Sequence, residues 1–471
     1  MDGRKRLLAA ALAAAAVATM VTPAPLTARP ARGPLAVVAL IDSGVNPYAP
    51  AFRDRSRLAH KHPSTYIPGY PKDAEALRIT LGVPYEKAIE RDENIWRFVQ
   101  RGKLYWIPGT RIVGAISFGG GGTCSADAPP PVNGGGGCTE HSILDDHGHG
   151  TMTASRAAGA PHSLGRDARI VAIEGLGASQ VRWAADQGWI DVQSNSWLSL
   201  VPPPANSRVA DSTSEAFRKA AEKMITVAAS GNGSAYILGA APTPTYLLST
   251  AAPGVILVGG HDNGKMTLWS GSPPHVVADA YAGFAAPRAS IDEMKPNPIA
   301  CCTSAAAPYA SGGALAIVLE ARRLLGDGSV GVNKGVIARG PKGRVKEGPL
   351  ADGKFTLEEF KSVFFHTAEA RPQEGRDDGD IHWAGAPRAP ELVPYGPGAN
   401  PFCLLCTTTP IPWSAVPEGA DAFQLIGYGA INERSLKLAI RVLRGDAKVP
   451  DRPVEDAQYQ QDQALRETIF P

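Results

Sequence analysis

Leu35-Ala-Val-Val-Ala-Leu-Ile41-Asp42-Ser43-Gly44 is the stretch on which the fold turns. Its apolar run has no polar alternation, as a strand buried on both faces of a parallel sheet requires. Asp42 then sits at the C-terminal edge of that strand, where open α/β sheets keep their ligands. Runs of the same kind recur at 111–118, 168–173, 191–197, 224–229 and 254–259. Helical patterns fall at 85–100, from 149 onward, at 180–187 and 214–223, in a long stretch from 304 to 325, and from 432 to about 443. Strands alternating with helices predict an α/β fold, with a mostly parallel central sheet and helices on both faces.

Two further motifs carry chemistry that complements Asp42. His149 lies in Asp146-His-Gly-His149-Gly-Thr151, flanked by glycines that leave room beside the imidazole. Ser304 lies in Thr303-Ser304-Ala-Ala-Ala-Pro308, where Pro suits a first helical turn. A hydroxyl is a poor nucleophile until a base takes its proton, and an imidazole needs a carboxylate to fix its tautomer. Each motif alone has a plainer reading: Asp-Ser-Gly as a turn, Ser304 as a helix cap, His149 with His141, Asp145, Asp146 and His147 as a metal cluster. A fourth motif favours the catalytic set. Gly231-Asn232-Gly233 follows the strand at 224–229, and an amide held between glycines can donate to an oxyanion.

With these four motifs together, the chain resembles the subtilisin-like serine peptidases, from about Ala36 to Leu443, and shares their order Asp, His, Ser. The resemblance implies a three-layer subtilisin-like fold in which Asp42 orients, His149 is the base and Ser304 attacks. Asn232 and the Ser304 amide would form the oxyanion hole. It also places Ser194, Asn195, Ser196 and Trp197 on the strand that lines the substrate cleft, pairing with an extended peptide. Val255 to Asp262, Leu268-Trp-Ser-Gly271 and Gly427 to Asn432 match connecting segments of the family. The chain departs from the pattern in three ways. Cys302 replaces the Gly before Thr-Ser, Ala305 replaces the Met after the serine, and the loop at 177–187 is shorter. A long insertion, about 50–140, separates the Asp and His motifs, and no inhibitory prodomain fits ahead of Asp42.

The N-terminus reads as a signal peptide over 1–28: a basic start, Arg4-Lys5-Arg6, an Ala-rich apolar run from Leu7 to Val21, and small-residue cleavage sites by Ala24 or Ala28. The peptidase domain is expected at 33–444, with a polar, frayed tail at 445–471. Export permits disulfides, and the six cysteines are an even number. Cys124 and Cys138 bracket a Gly/Pro-rich loop and read as a local pair. Cys301 and Cys302 pair either with Cys403 and Cys406 or with each other, and a four-thiolate zinc site is the remaining alternative. The net charge of +2 gives no argument for nucleic acid. The expected protein is therefore a secreted or extracytoplasmic monomeric serine endopeptidase acting on protein or peptide. No cofactor, metal or membrane span after signal cleavage is expected. A catalytically impaired relative that binds peptides is the competing class, and a metal hydrolase using His147 and His149 is the third.

Overall fold

A computed structural model describes residues 33–97, 99–118, 143–145, 148–159, 163–197, 200–201, 211–232, 247–262, 265–266, 274–280, 302–370, 372–373, 382–383 and 426–470. The opening apolar run forms β1 (Val37–Asp42), buried along its whole length. The other runs form β2 (Ile112–Ser117), β3 (Arg169–Glu174), β4 (Val192–Asn195), β5 (Ile225–Ala229) and β6 (Ile256–Asp262). Two strands not anticipated from the sequence, β7 (Val276–Asp279) and β8 (Ala430–Ile431), complete a parallel series. Its order is β2-β3-β1-β4-β5-β6-β7-β8, every adjacent pair parallel. Short antiparallel strands join it, Tyr105–Trp106 at the β2 edge and Lys265–Met266 at the C-terminal end of β6. After β1 the chain builds outward to one side, then β4 returns to the other flank of β1. That reversal opens a crevice at the C-terminal end of β1, where Asp42 lies.

Alternation along β1 creates two cores. Ala36, Val38 and Leu40 join Ala154 and Ala157 of α2 (His149–Ala158) and Ala306, Ala310 and Ala314 of α5 (Thr303–Leu325). Val37, Ala39 and Ile41 face the other way, onto Val181 of α3 (Ala178–Asp186) and Phe217 of α4 (Ser212–Lys223). Helices therefore cover both faces, as the continuous apolar strands require. The described part of the insertion joins the same body. Its helix α1 (Tyr85–Arg97) buries Trp96, whose indole N–H donates to Tyr48 Oη at 2.9 Å, and Tyr48 in turn donates to Asp92.

Two features correct the sequence reading at the C-terminal end. A helix absent from that reading, α6 (Leu357–His366), starts at a Thr356/Glu359 capping box, while α7 (Glu433–Arg444) follows the Asn432 cap where a helix was expected. The polar stretch after 445, expected as a frayed tail, instead contains α8 (Pro453–Ile469). Polarity misled because α8 docks through charged groups and one aromatic, Tyr459 against Phe365 and His275, rather than an apolar stripe. Asp462 accepts from buried His275 and from Arg466, whose guanidinium also reaches the Ala251 carbonyl. Burial works against the Asp462 carboxylate, but His275 and Arg466 outweigh it and hold its pKa well below the ordinary range.

The far end of α5 is anchored by a buried ion pair. Arg322 grips Asp191 with two hydrogen bonds, of 2.5 and 3.0 Å, and both side chains are fully buried. Asp191 also accepts the Val37 N–H that opens β1, and Arg322 donates to the carbonyls of Leu35, Gly331 and Ile337. Removing one partner of such a pair strands a buried charge, at a cost of about 3–5 kcal/mol. Arg322→Met is therefore expected to lower the urea midpoint by that equivalent. An unchanged midpoint would show that the pair is energetically idle.

Candidate active site

Two glycines bring the acid and the imidazole together. Gly44, two residues past Asp42, has φ +110, and a Cβ on it would lie 2.6 Å from the Ile143 carbonyl oxygen. A Cβ on Gly150 would lie 2.1 Å from the Gly44 carbonyl oxygen. Glycine at 44 lets the Asp42 loop press against the 143–145 segment, and glycine at 150 lets that loop press against the first turn of α2. Gly148, capping that helix in the left-handed region at φ +89, turns the chain into it.

This approach leaves Asp42 Oδ1 2.7 Å from His149 Nδ1. Asp42 is buried, and its carboxylate also accepts the Ser43 N–H at 2.8 Å and the Thr153 hydroxyl at 3.2 Å. The His149 side chain stays 22% exposed, enough to meet a ligand. Burial pulls the imidazole pKa down, but the Asp42 charge and hydrogen bond, with the Asp145 charge behind them, raise it above the ordinary histidine value.

Asp145 is a site residue whose part the sequence did not disclose. Considered there only as a metal neighbour, it serves the helix end instead. Its carboxylate accepts the N–H groups of Gly148 and Thr151, both at 2.7 Å, and the hydroxyls of Thr151 and Ser43 at 2.6 and 2.9 Å. Ser43 Oγ in turn accepts the Gly150 N–H. A carboxylate at a helix N-terminus is favourable, and this one binds α2 to the loop bearing Asp42. The available signal was its position one turn ahead of the helix start. His141, Asp146 and His147 lie outside the described residues.

Ser304 occupies the first turn of α5, where backbone N–H groups lack intrahelical acceptors. Pro308 deprives the Ser304 carbonyl of its helical donor, and Ser196 Oγ supplies one at 2.9 Å. Ser304 Oγ returns a hydrogen bond to the Ser196 carbonyl at 3.1 Å. Asn232, exposed at the end of β5, accepts the Thr303 N–H at 3.0 Å and the Thr303 hydroxyl at 2.6 Å through Oδ1. With its oxygen so engaged, its NH₂ must point away from Thr303.

Cys302 keeps the backbone shape that the absent glycine would have. It adopts φ 73, ψ −165, a region that costs an L-residue about 1–3 kcal/mol. The other five candidate cysteines, Cys124, Cys138, Cys301, Cys403 and Cys406, lie outside the described residues.

The expected peptide-pairing strand narrows. Ser194 and Asn195 sit in β4 between β1 and β5, so their backbone is already committed on both sides. Asn195 Nδ2 donates to the Val227 carbonyl, and Trp197 is buried against Phe217 at 5.5 Å between ring centroids. The side chains of Ser194, Asn195 and Trp197 are buried. Of the four, Ser196 reaches the site, as a clamp on Ser304.

A family model described as the subtilase family matches residues 33–329, spanning β1 to β7 and the helices that carry His149 and Ser304. The chain belongs to the subtilase family. It is accordingly a serine-type peptidase. No curated protein sequence matches this subtilase. Among solved structures it is similar to a mutant of the protease domain of PatA, at 14% identity and TM-score 0.41, over 88% of this chain and 98% of that one. It is also similar to a lanthipeptide protease, at 14% identity and TM-score 0.42, over 87% of each chain. A third is the epidermin leader peptide processing serine protease from Staphylococcus aureus, at 12% identity and TM-score 0.42, over 88% of this chain and 77% of that one. Likenesses this remote carry nothing about the substrate of this subtilase.

The imidazole supplies a test. With its pKa raised, His149 should titrate by NMR above the ordinary value of about 6.5. Asp42→Asn should bring that midpoint down by removing the largest opposing charge. A wild-type midpoint at or below 6.5, or one unmoved by Asp42→Asn, would contradict the pairing.

Proposed function

We propose that this protein is an exported serine endopeptidase that cleaves peptide bonds through an acyl-enzyme on Ser304. The observation that carries the reading is the 2.7 Å Asp42–His149 hydrogen bond, formed beside the helix turn that presents Ser304. With Nδ1–H directed to Asp42, the basic lone pair of neutral His149 lies on Nε2. Ser304 Oγ leaves the Ser196 carbonyl, gives its proton to that nitrogen and bonds to the scissile carbonyl carbon. The oxyanion then draws on Asn232 Nδ2 and the Ser304 N–H, which the Thr303–Asn232 hydrogen bonds pre-orient. The imidazolium returns the proton to the leaving amine. Water repeats the cycle and frees Ser304.

Export is supported by the basic, apolar and small-residue order of residues 1–28. It is also consistent with the even number of cysteines, six, which export would let pair. No helix of the described residues is long and apolar enough to cross a membrane.

A fluorophosphonate probe should label the wild-type protein at Ser304 and leave Ser304→Ala unlabelled. Asn232→Ala should keep Ser304 reactive but lower kcat by about 10²–10³-fold, the cost known for one oxyanion donor in a subtilisin. Well-folded wild type that takes no label would instead indicate a peptide-binding module.

A further inference from the structure

The two helices that present His149 and Ser304 are joined by a buried cation that the reaction itself does not use. Arg156 of α2 is 2% exposed. Its Nε donates to the Ala305 carbonyl at 3.3 Å, one residue past Ser304. Its Nη2 donates to the Asp279 carbonyl at 2.5 Å, at the end of β7. The guanidinium lies 4.3 Å from the ring centroid of Tyr309, one turn further along α5. Burial lowers its pKa, opposed by the charge of Asp279, yet an arginine remains charged under any ordinary condition. His261, opposite Asp279 in the β6–β7 register, is buried beside this group with its pKa pushed down to about 4, so it adds no second cation near neutrality.

Stability alone does not account for an arginine here. A buried cation costs several kcal/mol in desolvation, and an apolar side chain of similar volume often serves a core as well or better. What a planar guanidinium adds is fixed direction: one rigid fork holding three backbone elements at set distances. Nearby, α2 and α5 touch backbone to backbone, since a Cβ on Gly312 would lie 2.8 Å from the Ala157 carbonyl oxygen. Rocking about that contact would open or close the gap between His149 and Ser304. The first turn of α5 is also the part least held by its own helix, because Pro308 withholds a donor. Ser196 replaces it on the Ser304 carbonyl, and Arg156 adds an outside donor to the neighbouring Ala305 carbonyl.

We propose that Arg156 is a positioning residue, which locks α2 against the first turn of α5 and so sets the distance between the base and the nucleophile. This rests on the serine-peptidase reading above. Misplacement by about 1 Å can cost about 10²-fold in rate without weakening substrate binding.

The test compares wild type, Arg156→Met, Arg156→Lys and Arg156→Ala for fluorophosphonate labelling rate, kcat and KM, with thermal melting to confirm folding. Met fills the volume without the fork, and kcat and labelling should fall about 10²-fold with KM nearly unchanged. Lys keeps the charge but cannot bridge, and should fall about tenfold or more. Arg156→Ala should recover activity with added ethylguanidinium and not with ethylammonium. Wild-type rates in a folded Met or Lys variant would overturn the proposal, as would a loss in Arg156→Ala that ethylguanidinium leaves untouched. Failure of the wild type itself to take the label would instead overturn the peptidase reading on which the proposal stands.

Discussion

The contact between Gly44 and Gly150 is the constraint on which the site depends. Asp42 ends a strand and His149 begins a helix, and nothing in either element brings them together. They meet because the loop after β1 can lie flat on the first turn of α2, with no side chain between. The Asp145 carboxylate holds the contact closed by accepting donors from both sides of it. A methyl group at either glycine would push the carboxylate away from the imidazole before any catalytic atom was altered.

Ser304 is placed by a second set of constraints, acting on α5 from its two ends. Arg322 and Asp191 fix the C-terminal part of that helix to the starts of β1 and β4, deep in the core. At the other end, Pro308 loosens the first turn and side chains from β-strand ends and from α2 take up the carbonyls. Ser304, the proposed nucleophile, is thus carried by a helix that is anchored at its base and externally braced at its tip. Cys302 belongs to that tip, holding a left-handed backbone that glycine would adopt without strain.

The parallel sheet was legible in the sequence because its strands are buried on both faces and read as unbroken apolar runs. Asp42, His149, Asn232 and Ser304 were picked out as candidates because each stands in a short glycine-rich or helix-opening context, and the structure pairs Asp42 with His149 and Asn232 with Thr303, beside Ser304. Other features were not legible, for identifiable reasons. α8 has little apolar periodicity and is held by Asp462 on His275, Asp456 on His366 and Tyr428, and Arg466 on the Ala251 carbonyl, all partners distant in sequence. Strands β7 and β8 are short and lack flanking signals. Ser194, Asn195 and Trp197 look polar or exposed-aromatic in sequence, yet the strand's central position turns them inward. Asp145 was hidden among neighbouring His and Asp residues, and only the path of α2 separates its role from theirs.

The central claim is that Asp42, His149 and Ser304 act together in acyl transfer. Its most direct test is capture of the covalent intermediate. The protein would be mixed with an activated ester at mildly acid pH, where deacylation is slow, then quenched and mapped by mass spectrometry after digestion. The account predicts a single acyl group on Ser304, absent in His149→Ala and discharged when the pH is raised. Steady hydrolysis with no acyl group on Ser304, or with the group on another residue, would contradict it.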